Sequence, residues 1–310
     1  MTANKIVRFA SVAITSSVFG LGLAGNAYAD AYAVAFENIY NLVFTNTGTI
    51  TIGTTTPSSS DSSTINGVGT TAGGNTFTDA PPTSQGTQTR VNNVFNFFGP
   101  SGGNYSNADA WIKTEQFTSG GLTGNPTQAL AIGENDLSFT GSAHADAQNG
   151  SLTGFTVTFV ANTPATVSFT GDAVAYMQNL LTADLGLGSS SASGITAIIS
   201  ITNSAGTSFL TVTPDALNLT QAAAFVGDNK VYDPTGCGLT IGTGTTCATP
   251  ISVSGTSAVL PAGTYTLSLR MTTNADTVRV ARVPEPATLA LLGLGLAGLG
   301  FMVRKGKNRA

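Results

Sequence analysis

Residues 264–272 read TYTLSLRMT, and this stretch decides the fold class. Tyr265, Leu267, Leu269 and Met271 alternate with Thr264, Thr266, Ser268 and Arg270. Successive side chains of a strand point to opposite faces, so the first set belongs to a dry face and the second to a wet one. The same period runs through Phe155, Val157 and Phe159, which alternate with Thr156 and Thr158. It returns in Ala165, Val167 and Phe169, set against Thr166, Ser168 and Thr170. Asn162, Thr163 and Pro164 lie between these two runs and predict a hairpin. A second hairpin is expected where residues 195–202 and 209–213 flank Asn203, Ser204, Ala205 and Gly206.

Further from these strands the signals weaken. Residues 31–52 alternate loosely and can supply a first strand or two, with Phe36, Ile39 and Val43 as core positions. Residues 53–86 are rich in Thr, Ser, Gly, Asn and Pro and nearly devoid of large apolar side chains. Such a segment cannot offset its ordering entropy by burial, which predicts a long low-complexity surface loop. Its clustered hydroxyls also suit O-glycosylation. Residues 173–185 fit either a short helix, with Val174, Met177 and Leu181 on one side, or a strand and loop. Asp215 can cap a turn running towards Ala224. Short strands, Gly-rich turns and weak helical signals together predict an all-β protein: an antiparallel β-sandwich, jelly-roll-like, with long Gly/Ser/Thr-rich loops, over residues 30–282.

Charged residues make up 9% of the 310-residue chain, and Gly reaches 37 copies. Soluble domains usually carry about 25% charged residues. A surface solvated by hydroxyls and amides fits an exported protein. Residues 30–282 hold six Lys or Arg against fifteen Asp or Glu, a net charge of −9. That field repels nucleic acid, which is excluded as a partner. Cys237 and Cys247 are the two cysteines, and an even pair in an exported chain is expected to form a disulfide. A zinc site would need two more ligands, and His144 is the lone histidine.

Both ends read as addresses. Lys5 and Arg8 precede an uncharged apolar stretch, residues 9–25, and Ala27, Tyr28 and Ala29 stand before Asp30. A positive start, an apolar run and small residues at Ala27 and Ala29 predict a signal peptide over residues 1–29, cut after Ala29. At the other end Val283, Pro284, Glu285 and Pro286 precede seventeen uncharged residues, 287–303, and a basic tail, 304–310. As a helix those seventeen residues span about 26 Å, enough for a compressed bilayer core. The prolines set the helix start at Ala287, and the basic tail holds the far end in the cytoplasm.

The motif at 283–286, the apolar run and the basic tail together resemble the sorting signal of PEP-CTERM proteins, the exosortase substrates of Gram-negative bacteria. The resemblance covers roughly the last 28 residues. It implies processing near Val283, Pro284, Glu285 and Pro286 by an exosortase-like membrane protease. It further implies an inner-membrane intermediate, followed by residence at the surface or in the extracellular matrix of an exopolysaccharide-producing organism. It implies nothing about the body.

Several side chains in the body invite a chemical reading. His144 and Asp146 would share a strand face, as a base and its orienting acid do, yet no nucleophile elbow accompanies them. Glu134 and Asp136 share a face, and Asp228 lies near Asp233; paired carboxylates can hydrolyse glycosides or hold calcium. Solvated surface charge is the plainer reading of all of these. Trp111, Tyr105 and Phe117 can form a sugar-stacking platform or part of the core. No cofactor fingerprint and no calcium-loop spacing appears. The leading expectation is a non-enzymatic surface or matrix protein. A carbohydrate-binding module that takes exopolysaccharide comes next, and a polysaccharide hydrolase last.

Overall fold

The computed structural model describes residues 30–281 except 59–60, 66–67, 70–98, 101–103, 119, 139–141, 150–152 and 239–246. Numbered in chain order, its strands begin with β1 (Ala31–Thr47), β2 (Ile50–Ser58), β3 (Asp61–Ile65), β4 (Val68–Gly69), β5 (Asn104–Lys113) and β6 (Phe117–Thr118). They continue with β7 (Gly121–Leu122), β8 (Thr127–Leu137), β9 (Ala143–Asn149), β10 (Thr153–Ala161), β11 (Thr166–Leu181) and β12 (Ser190–Asn203). The last are β13 (Ser208–Val212), β14 (Leu219–Ala222), β15 (Asn229–Tyr232), β16 (Ile251–Thr256) and β17 (Gly263–Arg279). Among the described residues the one helical element is a single 3-10 turn, Asp215–Leu217. Over the described residues the protein is all-β, and its sheets are antiparallel.

Two sheets pack face to face. The first runs β15-β11-β1-β8-β5, with β16 also on β11. The second runs β13-β12-β17-β9-β3-β4, with β10 joining β17 to β2 and β14 on β12. At one end the space between them is filled by rings: Phe44 lies 5.4 Å from Phe117 and 6.1 Å edge-on from Phe155, and Phe117 lies 5.0 Å from Phe155. At the other end the filling is small. Ala33 and Ala108 of the first sheet meet Ala147 and Ala275 of the second. There a Cβ on Gly133 would come within 2.7 Å of the Ala147 carbonyl oxygen, so only glycine permits the approach. Asn135 bridges the sheets from this narrow end, donating to the carbonyls of Ala145 at 3.0 Å and Ala275 at 2.7 Å.

The alternation of residues 264–272 survives in β17. Tyr265, Leu267, Leu269 and Met271 are buried and Arg270 is exposed. Its wet face is solvated by hydroxyl pairs, with Ser268 at 2.8 Å from Ser200 and Thr272 bonded to Thr196. The β12–β13 hairpin also forms as expected, and the Asn203 side chain closes its turn on the amides of Ala205 and Thr207.

Two expectations are corrected, and one left open is decided. The runs at 155–159 and 165–170 do not pair with each other: β10 pairs with β17 and β2, while β11 pairs with β1, β15 and β16. The Asn162–Pro164 turn is therefore an arch that carries the chain from one sheet to the other. Residues 173–185 take the second of their two readings, strand and loop: residues 173–181 complete β11, which puts Val174 on the opposite face from Met177 and Leu181. The expected loop at 53–86 begins as strand, because β2 is zipped to β10 and β3 to β9 by backbone hydrogen bonds that need no apolar side chains. The remainder of that segment, 70–86, lies outside the described residues. Within β1, Phe36 and Ile39 are buried as expected, but Val43 is only half-buried. A bulge between Tyr40 and Val43, with Asn41 at φ 51°, shifts the register and turns Leu42 and Phe44 inward instead.

Candidate functional site

β1 is central to its sheet, so both of its edges are paired, and residues 31–40 are buried on both faces as well. Its inner face carries Ala31, Ala33, Ala35, Glu37 and Ile39 towards the second sheet; its outer face carries Tyr32, Val34, Phe36 and Tyr40. Glu134 and Asp136 do share a face of β8, and it is this outer one, where Tyr32 of β1 and Tyr105 of β5 sit opposite Asp136. Glu134 Oε1 accepts from Tyr32 Oη at 2.9 Å and from the Gly99 amide at 2.9 Å. Tyr105 Oη lies 2.9 Å from the same oxygen and 2.8 Å from the Gly99 carbonyl, and shares its single proton between them. Both phenols are pushed far above the ordinary tyrosine range, by burial first and then by the Glu134 charge. Glu134 and Asp136 are wholly buried. The sequence paired these carboxylates correctly but placed them in solvent. Their partner Tyr32 carried no signal beyond its place in a weakly alternating strand.

The other sequence candidates lie apart. His144 is exposed on β9 and pairs across the sheet with Asp276, Nε2 to Oδ2 at 3.1 Å. Asp146 is on the same face, and burial, with Asp276 beside it, raises its pKa. Asp228 and Asp233 each organise their own turn: Asp228 Oδ2 accepts from the Ala224 amide at 2.7 Å, and Asp233 Oδ2 from the Gly238 amide at 2.8 Å. Phe117 is a core ring and Tyr105 belongs to the Glu134 cluster, so the two do not form one platform. The Trp111 backbone pairs with Leu130, and its side chain lies outside the described residues. Among the described residues no group of His, Cys, Asp or Glu is arranged to hold a metal ion.

Cys237 and Cys247 are joined by a disulfide with their Cα atoms 5.9 Å apart. The Cys247 amide donates to Tyr40 Oη at 3.3 Å, so the bridge lies against the outer face of the first sheet. One titratable group escaped sequence reading altogether. Glu37 is fully buried on the inner face of β1, and neither carboxyl oxygen has a hydrogen-bond partner. Burial drives its pKa well above the carboxylate range. It stands alone in an apolar run with no companion, so no spacing rule could have marked it.

The two ends of the body converge on one end of the sandwich. Asp30 donates its amide to Thr182 Oγ1 at 2.8 Å and accepts the Thr182 amide at 3.0 Å. Its carboxyl is raised by burial and partly drawn back by Arg279. On the way out of β17, Val280 accepts the Gly186 amide at 2.9 Å, and the Ala281 amide donates to Ser142 Oγ at 3.1 Å. Ala27 and Ala29 of the expected cleavage site lie outside the described residues, as do Val283, Pro284, Glu285 and Pro286 and the apolar run at 287–303. Among the described residues no helix is long and apolar enough to cross a membrane.

Comparison with known proteins addresses the segment that follows Ala281. No curated protein and no solved structure matches the chain. Residues 282–305 match the family described as the PEP-CTERM protein-sorting motif. The match encloses Val283, Pro284, Glu285 and Pro286, the whole apolar run and the first two basic residues after it, Arg304 and Lys305. The chain thus carries a PEP-CTERM protein-sorting motif, consistent with a substrate of exosortase.

Proposed function

We propose that the protein is a non-enzymatic component of the cell surface or extracellular matrix in an exopolysaccharide-producing Gram-negative bacterium. A signal peptide over residues 1–29 exports it, and a helix over 287–303 holds it in the inner membrane until an exosortase-like protease acts at 283–286. Residues 30–282 are the cargo, a jelly-roll-like sandwich whose chain crosses between the two sheets repeatedly, at β1–β2, β4–β5, β8–β9, β10–β11, β11–β12, β14–β15 and β16–β17. One observation carries the non-enzymatic reading. The acidic pair best suited to hydrolysis, Glu134 and Asp136, is wholly buried, and Glu134 is engaged by two tyrosines and a backbone amide. A general acid must reach its substrate, and this one is spent on holding strands together.

The test replaces Pro284, Glu285 and Pro286 with alanine in the native host. The wild type is expected to lose its tail near the motif and move outward, with the triple mutant retained full-length in the inner membrane. Intact-mass measurement of both species gives the cut sites. Normal trimming and export of the mutant would overturn the sorting reading, and turnover of any polysaccharide by the purified body would overturn the non-enzymatic one.

A further inference from the structure

We infer that the end of the sandwich from which the tail departs is a membrane-docking surface, with Leu187 and Phe225 entering the interfacial layer of a phospholipid bilayer. Two of the loops at this end are residues 182–189 between β11 and β12 and residues 223–228 between β14 and β15. The second loop is tied to the end of β11 by the Gly227 amide on the Leu181 carbonyl at 2.6 Å, and its Ala223 and Val226 pack on the cluster that holds Leu181 and, from the first loop, Leu185. Each loop turns an apolar side chain outward. Leu187 is 92% exposed and Phe225 is 65% exposed, the two highest values among the large hydrophobic residues of the described chain. Lone exposed apolar residues are ordinary on protein surfaces. Position makes these two different. Leu187 lies between Gly186, whose amide bonds the Val280 carbonyl and on which a Cβ would fall 2.7 Å from the Ala281 carbonyl oxygen, and Gly188, on which a Cβ would fall 3.6 Å from the Val280 side chain. Val280 and Ala281 are the last described residues before the tail.

Five residues, 282–286, separate Ala281 from the apolar run at 287–303, and two of them are proline. Fully extended, that connection reaches about 20 Å at most. While the tail is in the bilayer, this end of the body cannot leave the membrane surface, and the anchor supplies the effective concentration for a contact too small to bind alone. Asp184, exposed on the first loop, disfavours anionic headgroups, so the contact is apolar insertion rather than charge attraction. Docking would fix the height of Val283, Pro284, Glu285 and Pro286 above the bilayer. The inference rests on the reading of 287–303 as a membrane span.

The test uses the full chain reconstituted in vesicles of phosphatidylcholine and phosphatidylethanolamine. An environment-sensitive fluorophore is attached to a single free thiol in L187C, F225C or V259C, with the Cys237–Cys247 bridge left oxidised. Val259, 60% exposed, lies at the opposite end of the sandwich, on the order of 45 Å away along β11. Probes at 187 and 225 are expected to shift to the blue and to be quenched by spin-labelled lipid, and the probe at 259 to stay wet. A chain that resists alkaline extraction while all three probes remain equally wet would overturn docking alone. A chain stripped from the vesicles by alkali would overturn the anchor, and docking with it.

Discussion

Glu37→Gln should make the body more stable at neutral pH and flatten its dependence on pH. The wild-type carboxyl is fully buried, has no hydrogen-bond partner, and is flanked in the sheet by Ala131 and Ala175. Ionised there it would cost several kcal/mol, so the folded protein keeps the proton and its pKa rises well above the usual value. The unfolded chain releases that proton near the ordinary value of 4.5. Between the two values the native state binds one more proton than the unfolded state. Stability therefore falls as pH rises through this window, by about 1.4 kcal/mol per pH unit. Below the ordinary value the loss vanishes. Glutamine keeps the shape and a buried polar head without the titration. Urea melts followed by circular dichroism in half-unit steps from pH 5 upward would measure both slopes. The wild-type curve should fall away from the variant's curve by that amount per unit. Parallel curves, or a variant less stable than wild type at pH 7, would refute the account of a carboxyl forced to stay neutral.

Met271→Asp should unfold the body, costing more than about 4 kcal/mol, because Met271 is fully buried between the sheets. Its exposed neighbour makes the control: Arg270→Asp should cost about 1 kcal/mol or less, and equal melting temperatures for the two would refute the face assignment. Cys237→Ser with Cys247→Ser should lower stability by about 2–3 kcal/mol, the chain-entropy value for so short a loop. Peptide mapping of the exported protein under non-reducing conditions should recover the two cysteines linked, and free thiols at both would sink the bridge.

The extent to which the sequence disclosed all this differs from strand to strand. β17 was legible because one of its faces meets water and the other meets Phe155 and Ile199, so Leu and Thr alternate. β1 was nearly illegible for the opposite reason: buried on both faces, it has no alternation to display. Alternation also names a strand without naming its partner. It marks the runs in β10 and β11 correctly as strands and wrongly suggests a hairpin, since an arch between sheets and a turn within one use the same Asn and Pro residues. The Thr- and Ser-rich start of the supposed loop was missed because backbone pairing holds β2, and pairing leaves no mark in side-chain hydropathy. The sorting motif was fully legible because it is contiguous. The Glu134 cluster was not, because it draws on β1, β5 and β8 and on Gly99, and only folding brings them together.

Both sheets are centred on an end of the body's chain. β1, its first strand, lies between β11 and β8, and Ala31 finds its partners only at Leu137 and Leu181. β17, its last, joins β12, β10 and β9. Such pairings are distant in sequence, and they are slow to form because long loops must close first. In a chain emerging from its N-terminus, β1 waits for both neighbours while much of the body is still to come. The second sheet remains in separate pieces until residues 263–279 arrive, and those residues immediately precede the sorting motif. Folding cannot finish early. The sandwich closes only once the residues just before the sorting motif are in place, so an intact fold reports that the chain runs to the edge of that motif. A chain broken off before Gly263 would leave the second sheet without its central strand and with its edges open to proteases.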